Sequence, residues 1–277
     1  MPVIAICGQV PSALIGTDAF QEIDTFGLSL PISKHSVLIR SANELLVELP
    51  KAFRIARSGR PGPLVIDVPK DVQTQLVEFD QWPEAGQHDI IPLPDKQALH
   101  SAVQMIAEAR RPLIYAGAGC ADSNSSISML IAFAHKAHIP VTLTLRALGA
   151  FHHDDPLYLG MLGMHGTRAA NQAIAESDLL IVLGARFDDR ATGKLAAFAP
   201  KAKIIHIDLD AAELGKLRNP AIAIKADTAT ALHILTETYM GTRRPEWEQR
   251  VTELKELDIS VRQVEESHPV RQLADMM

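Results

Sequence analysis

A chain of 277 residues, 47% hydrophobic and 22% charged, is long enough for about two domains of ~150 residues and has the composition of a globular protein. Its formal net charge of −6, with Lys and Arg scattered along the chain, argues against a nucleic-acid surface, and no apolar run approaches the ~18 residues of a membrane helix, so a small-molecule ligand is expected. Cys7 and Cys120 each end an apolar run and read as packed thiols, not as a disulfide or metal pair, and no targeting segment is visible after Met1, which suits a cytoplasmic or organellar-matrix protein.

In chain order, VIAIC at 3–7 reads as a strand, followed by the loop GQVPSALIGTDAFQE at 8–22. Pro11 and Gly16 punctuate that loop as turn material, while Thr17, Asp18, Gln21 and Glu22 crowd polar groups around Phe20. NELLVELPKAFRIARSG carries apolar residues at helical spacing up to Gly59, and PLVIDVP is apolar enough for a strand buried on both faces of a parallel sheet. Residues 73–94 lose periodicity and collect Pro83, Gly86, Pro92 and Pro94, which places a boundary near 85. Three segments are expected: a first α/β part at 1–85, a middle domain at 86–240, and a linker helix with a tail at 241–277.

The middle segment alternates more fully. A helix at 95–109, the strand and turn LIYAGAG, a helix near 125–137 and the strand VTLTL lead to a helix near 167–176. The strands DLLIVLG and KIIHIDLD, a short AIAIKAD strand and a helix at 228–239 follow. This pattern predicts an α/β fold with a doubly wound parallel sheet, about five or six strands wide, binding its ligand at the carboxyl ends of the strands. RRPEWEQRVTELKEL reads as an exposed amphipathic helix, with no strand after Ser267.

The candidate chemistry falls at those strand ends. GAGCAD at 117–122 sits where a turn and helix start could hold a phosphate, although Asp122 replaces the third glycine of G-x-G-x-x-G and simple turn geometry is the competing reading. In LGMLGMHGT, Gly160, Gly163 and Gly166 allow a backbone to approach a flat ligand, and His165 offers a polar edge, although a lone histidine is more often a satisfied structural residue than a ligand contact. GARFDDR at 184–190 gathers Arg186, Asp188, Asp189 and Arg190. Asp188 is suited to a ligand hydroxyl and the arginines to a carboxylate or phosphate, against a surface salt-bridge cluster. Asp208 and Asp210 of HIDLD, and Asp227 of KAD, place further carboxylates at strand tips, so the motifs together describe a dinucleotide cleft. There is no zinc spacing, G-x-S-x-G elbow or Walker A lysine, and His152, His153, Asp154 and Asp155 read as an exposed turn.

With these motifs in order, the chain resembles the catalytic large subunit of acetohydroxyacid (acetolactate) synthase, a thiamine-diphosphate and flavin enzyme. The resemblance runs from Val3 to about Asp227 through CGQVPSALIGTDAFQE, KHSVLIR, SGRPGPLVIDVPKD, LGMLGMHGT, GARFDDRATGK and HIDLDAAELGK. It implies FAD in the middle domain at Arg60, Gly117, Ala118, Gly119, Thr144, Leu145, Leu162, Gly163, Met164, His165, Gly184, Ala185, Arg186, Asp188, Arg190, Asp208, Leu209 and Asp227. It also implies that the early loop is substrate chemistry. Gln21 would face the thiamine, Phe20 and Met164 would shape the pocket for the second 2-keto acid, and Arg190 would grip that acid's carboxylate. Two departures are Ala118 for the middle glycine of the family's turn, and Arg146 where Met or Lys is usual. The resemblance further implies thiamine diphosphate with Mg²⁺, a homodimer and a small regulatory subunit. The family's activating glutamate and its GDG diphosphate motif do not occur in this sequence. The expectation is therefore a fragment, inactive by itself, with its VIAIC strand lacking sheet neighbours. A related thiamine-dependent carboligase or decarboxylase, and a non-catalytic dinucleotide-binding module, are the alternatives.

Overall fold

The computed structural model describes residues 1–84, 86, 91 and 93–266; residue 85 and the tail at 267–277, on which a boundary and the lack of a strand were expected, lie outside the described residues. Among the described residues are nine strands and ten α-helices, and the chain divides into two compact units, Met1–Ile91 and Pro92–Met277.

The first unit runs β1 (Val3–Gln9), α1 (Thr25–Ser29), β2 (His35–Leu38), α2 (Ala42–Arg57), β3 (Pro63–Pro69) and α3 (Lys70–Gln73). Its three strands are parallel in the order β1-β3-β2. β3 is central, as its apolar run predicts, and Leu64, Ile66 and Val68 anchor the core with Ile39, Ala52 and Val72. Contrary to expectation, the VIAIC segment has a sheet neighbour: it pairs with β3 from Val3↔Pro63 to Gln9↔Pro69. β2 was not anticipated, because four residues beginning His35-Ser36 carry too little apolar signal to read as a strand. α2 starts where local chemistry dictates. The Ser41 hydroxyl accepts from Glu44 N at 3.2 Å while the Glu44 carboxylate accepts from Arg40 N at 2.7 Å, satisfying two amides at the helix start. Lys34 Nζ donates to the Ile55 carbonyl at 2.6 Å, stopping the helix at its other end.

The second unit runs α4 (Lys96–Glu108), β4 (Pro112–Ala116), α5 (Ala118–Ala121), α6 (Asn124–Ala137), β5 (Val141–Leu143), β6 (Tyr158–Met161), α7 (Arg168–Glu176) and β7 (Leu179–Leu183). It continues through α8 (Asp189–Thr192), β8 (Lys203–Asp208), β9 (Ile222–Lys225), α9 (Thr228–Thr238) and α10 (Pro245–Glu266). The six strands are parallel in the order β6-β5-β4-β7-β8-β9, the two-winged order of dinucleotide-binding sheets, with a switch point between β4 and β7. Alternate residues feed two cores. Ile114, Ala116, Ile181 and Leu183 pack beneath α4, α6 and α9; Leu113, Tyr115, Leu180 and Val182 pack beneath α7 and α10. β6 was read as part of a glycine loop. Its glycine, Gly160, breaks the alternation of a strand, and the register with β5 shifts there.

α10 also corrects an expectation. The helix is amphipathic but not merely exposed: Trp247, Val251 and Leu254 are buried in the second core, and Trp247 Nε1 donates to the Pro112 carbonyl at 2.9 Å. Just before it, buried Arg244 donates to the carbonyls of Ala109 at 2.7 Å, Ile106 at 2.5 Å and Thr242 at 2.8 Å. A guanidinium without an acceptor of its own satisfies several chain-end carbonyls at once, which ties α10 to the ends of α4 and α6.

Candidate functional site at the carboxyl edge

Six strands of one direction deliver six carboxyl ends to one edge of the second sheet, and the loops leaving them carry nearly every residue singled out in the sequence. At the switch point the loops after β4 and β7 meet backbone to backbone. Gly117 N donates to Leu183 O at 2.8 Å, and Gly119 N donates to Gly184 O at 3.1 Å. Gly184 sits at φ +55, and a Cβ there would lie 2.6 Å from the Gly119 Cα, so both the conformation and the space demand glycine. Ala118 does not share that demand. It lies in the short helix α5 and is absent from the positive-φ residues, so the departure from glycine is accommodated. α5 spans four residues, too short for the helix-terminus phosphate site that GAGCAD suggested.

Other loops are stitched to the same edge. Thr144 N donates to Ala116 O at 3.0 Å and Leu162 N to Leu143 O at 3.2 Å, which places Thr144, exposed Leu145 and buried Leu162 beside β4 and β5. Arg146 stands exposed next to Leu145. Met164 and His165 are exposed after β6, and Met164 N donates to Arg190 O at 3.0 Å. Arg190 Nη1 lies 3.9 Å from Met164 Sδ, so the structure brings this pair together. Arg186 and Arg190 are exposed, and among the described residues no ion pair joins either to Asp188 or Asp189.

The carboxylates have local duties. Asp188 caps α8 by accepting from Ala191 N at 3.2 Å, Asp227 caps α9 by accepting from Thr230 N at 2.9 Å, and Asp208 accepts from Asp210 N at 2.8 Å. Leu209 follows Asp208, partly exposed. An open groove of about 410 Å³ borders this edge, lined by Gly163, Met164, Asn171, Asp189, Lys194 and Phe198 among others.

Three residues that sequence reasoning passed over hold these loops. His206, buried in β8, donates from Nε2 to the Ala185 carbonyl at 3.0 Å and packs edge-on against Phe187 at 5.4 Å. Burial lowers its pKa and keeps it neutral. Thr228 Oγ1 donates to Gly119 O at 2.9 Å, and Asn171 bonds Gly163. The even spacing of His206 with Ile204 on one face of β8 was the available signal. Nothing in the sequence announces that its partner is Ala185. Cys120 is fully buried beside Thr228, and burial pushes its thiol up to about 12, so it is an inert packing group as expected. His152, His153 and Asp154 are exposed with their polar atoms within 4.8 Å of one another.

In the first unit, Phe20 and Gln21 are both exposed, Phe20 at 89%, and Arg60 is exposed after α2. The loop that carries them is organised by Glu22. Its carboxylate accepts from the amides of Gly16, Thr17 at 3.3 Å and Ala19 at 3.0 Å, and the Gly16 bond in particular lowers its pKa. Asp18 and Gln21 take left-handed backbone, φ +57 and +64, which turns the chain tightly enough to wrap the carboxylate. Thus Glu22 is a framework residue and presents Phe20 and Gln21 outward.

Residues 99–235 match the family model described as thiamine pyrophosphate enzyme, central domain. The chain is 49% identical over 255 residues to the acetolactate synthase isozyme 1 large subunit of Escherichia coli, covering 92% of the chain and 45% of that protein. It is 43% identical over 286 residues to the probable acetolactate synthase large subunit of Methanocaldococcus jannaschii, covering 100% of the chain and 48% of the relative. With acetolactate synthase 1, chloroplastic, of Nicotiana tabacum it shares 45% identity over 266 residues, 92% of the chain and 39% of that protein. The chain thus spans less than half the length of these relatives.

Proposed function

We propose that the chain belongs to the acetolactate synthase large-subunit family and that its second unit is the FAD-holding domain of an enzyme that condenses pyruvate with a second pyruvate or with 2-oxobutyrate. The observation that carries this reading is the switch point between β4 and β7, where two glycine-bearing loops close backbone on backbone at the carboxyl edge of a two-winged sheet. The donor set fits FAD. Arg186 is suited to its diphosphate, Asp208 and Asp227 to ribose and adenine polar groups, and the Leu162–His165 turn with Thr144 and Leu145 to a flat ring. When bound, the flavin supplies a rigid planar framework and no redox step.

On this reading the chain's own residues bind and orient. Arg190, exposed and beside Met164, grips the carboxylate of the second 2-keto acid, and Met164 shapes that acid's pocket. Gln21 is presented outward by the Glu22-organised turn, where the family reading has it face the thiamine. Thiamine diphosphate and Mg²⁺ belong to the family reading; the GDG diphosphate motif does not occur in this sequence, and no step is routed through those groups. A homodimer, a small regulatory partner and a cytoplasmic location are part of the same proposal. Among the described residues no helix is long and apolar enough to cross a membrane.

Isothermal titration of the purified chain tests the flavin assignment: FAD binds more tightly than NAD or NADP, and tighter nicotinamide binding would overturn it. Arg190→Ala weakens use of 2-oxobutyrate in a full-length relative. An unchanged apparent affinity for 2-oxobutyrate would remove Arg190 from the substrate site.

A further inference from the structure

Asn171 lies on an exposed part of the first turns of α7, where a lysine or glutamate would serve a helix better, since a short carboxamide competes with the helical backbone. Its side chain has a specific occupation. Asn171 Oδ1 accepts from Gly163 N at 2.9 Å and Asn171 Nδ2 donates to Gly163 O at 2.9 Å, so one carboxamide grips both polar groups of a single residue. Two such bonds fix the orientation of the backbone around Gly163, which one bond would leave free to swing. From the other side Gly163 is pressed on the loop after β7: at φ +93, a Cβ there would lie 2.4 Å from Arg190 O and 2.8 Å from the Ala191 Cα. The next amide, Met164 N, donates to that same Arg190 carbonyl at 3.0 Å.

α7 is itself a firm base. Thr167 caps it by accepting from Ala170 N at 3.1 Å, and Thr167 Oγ1 donates to Leu159 O on β6 at 2.6 Å. We propose that Asn171 is a positioning residue: it clamps Gly163 against the Arg190 carbonyl and so sets the relative placement of the Met164 side chain and the Arg190 guanidinium, which determines how a 2-keto acid carboxylate is held. The proposal rests on the reading of Met164 and Arg190 as the keto-acid patch. Asn171 touches no substrate on this account and acts through the turn that it grips.

Methyl-¹³C-methionine NMR of the 277-residue chain loaded with FAD reads this directly, with the Met164 signal assigned by Met164→Leu and 2-oxobutyrate as the titrant. In Asn171→Ala the Met164 methyl signal moves and broadens while those of Met105 and Met129, in the other core of the same unit, stay in place, and 2-oxobutyrate binds roughly fivefold more weakly, the size of one ordinary hydrogen bond. Asn171→Asp keeps the acceptor for Gly163 N and loses the donor to Gly163 O, so it falls between wild type and alanine; it carries the test if the alanine variant does not fold. A Met164 signal and a 2-oxobutyrate affinity both at wild-type values in Asn171→Ala and Asn171→Asp would overturn the positioning role. If 2-oxobutyrate fails to move Met164 in the wild-type chain while Asn171→Ala still displaces that signal, the keto-acid reading of the patch falls and the clamp on the turn stands.

Discussion

The two units use the same alternation of strand and helix but bury it differently. In the second unit β4 and β7 are buried along all five residues, with helices on both faces. In the first, β1 is an edge strand that leaves Val3 at 48% and Ile6 at 63% exposed, and its partner β3 carries most of the core. The loops at the carboxyl ends differ as well. Those of the second unit are held by backbone pressed on backbone at Gly117, Gly119 and Gly184, whereas the 16–22 loop of the first is held by one carboxylate, Glu22, gathering amides. Contact between backbones fixes a loop through shape, and a gathered carboxylate fixes it through charge. The two should therefore respond to different perturbations.

The largest contrast is in packing. Trp247→Ala removes a fully buried indole from the second unit's core together with its bond to Pro112 O, and is expected to cost about 3–5 kcal/mol in urea unfolding. Ile6→Ala on the exposed edge strand stays within about 0.5 kcal/mol. Equal losses would show that β1 is as deeply packed as α10. A second contrast is between glycines. Gly184→Ala combines left-handed strain with a backbone clash at 2.6 Å and costs about 2–4 kcal/mol. Gly16→Ala, at φ +82 with nothing within 4 Å, costs about 1 kcal/mol, from strain alone. Melting curves that rank the two the other way would reverse the argument from shape.

Smaller effects come from charge. Glu176 at the end of α7 takes a two-bond grip from Arg250 of α10, with Arg250 Nη2–Oε1 at 2.8 Å and Nε–Oε2 at 3.0 Å, and that bonding lowers its pKa to about 2. A depressed folded pKa means that the contribution is present above the ordinary carboxylate value of 4.5 and is lost as pH falls from there through about 2. Glu176→Gln is therefore expected to lose up to about 1 kcal/mol at neutral pH, after solvent screening, with the gap to wild type narrowing as pH drops below 4. A gap that widens toward acid would contradict the ion pair. Glu22→Gln has the smallest global effect, leaving the melting temperature nearly unchanged while hydrogen exchange at Gly16, Thr17 and Ala19 accelerates. Unchanged exchange at those amides would mean that Glu22 does not hold the loop.

The sequence by itself determined the parts whose signal is local. The apolar runs gave β3, β4, β7 and β8 nearly to the residue, because strands buried on both faces are written as continuous aliphatic stretches. The starts of α4, α6, α7 and α9 fall close to those expected from the apolar spacing, and the structure adds that Asp95, Ser123, Thr167 and Asp227 cap them. The candidate edge was legible too, because glycines and charges fell at strand ends. Only the tertiary structure decided what depends on distant partners. β2 forms in spite of a weak pattern because β3 offers it a ladder, β6 continues through Gly160 because β5 lies beside it, and α10 is a core helix because Trp247 reaches Pro112 O across 135 residues. Likewise His206 reaches Ala185, Thr228 reaches Gly119 and Asn171 grips Gly163. Each of these bonds joins residues from different elements, so no periodicity or motif in either segment encodes it, and only the packing of the sheet brings the partners within bonding distance.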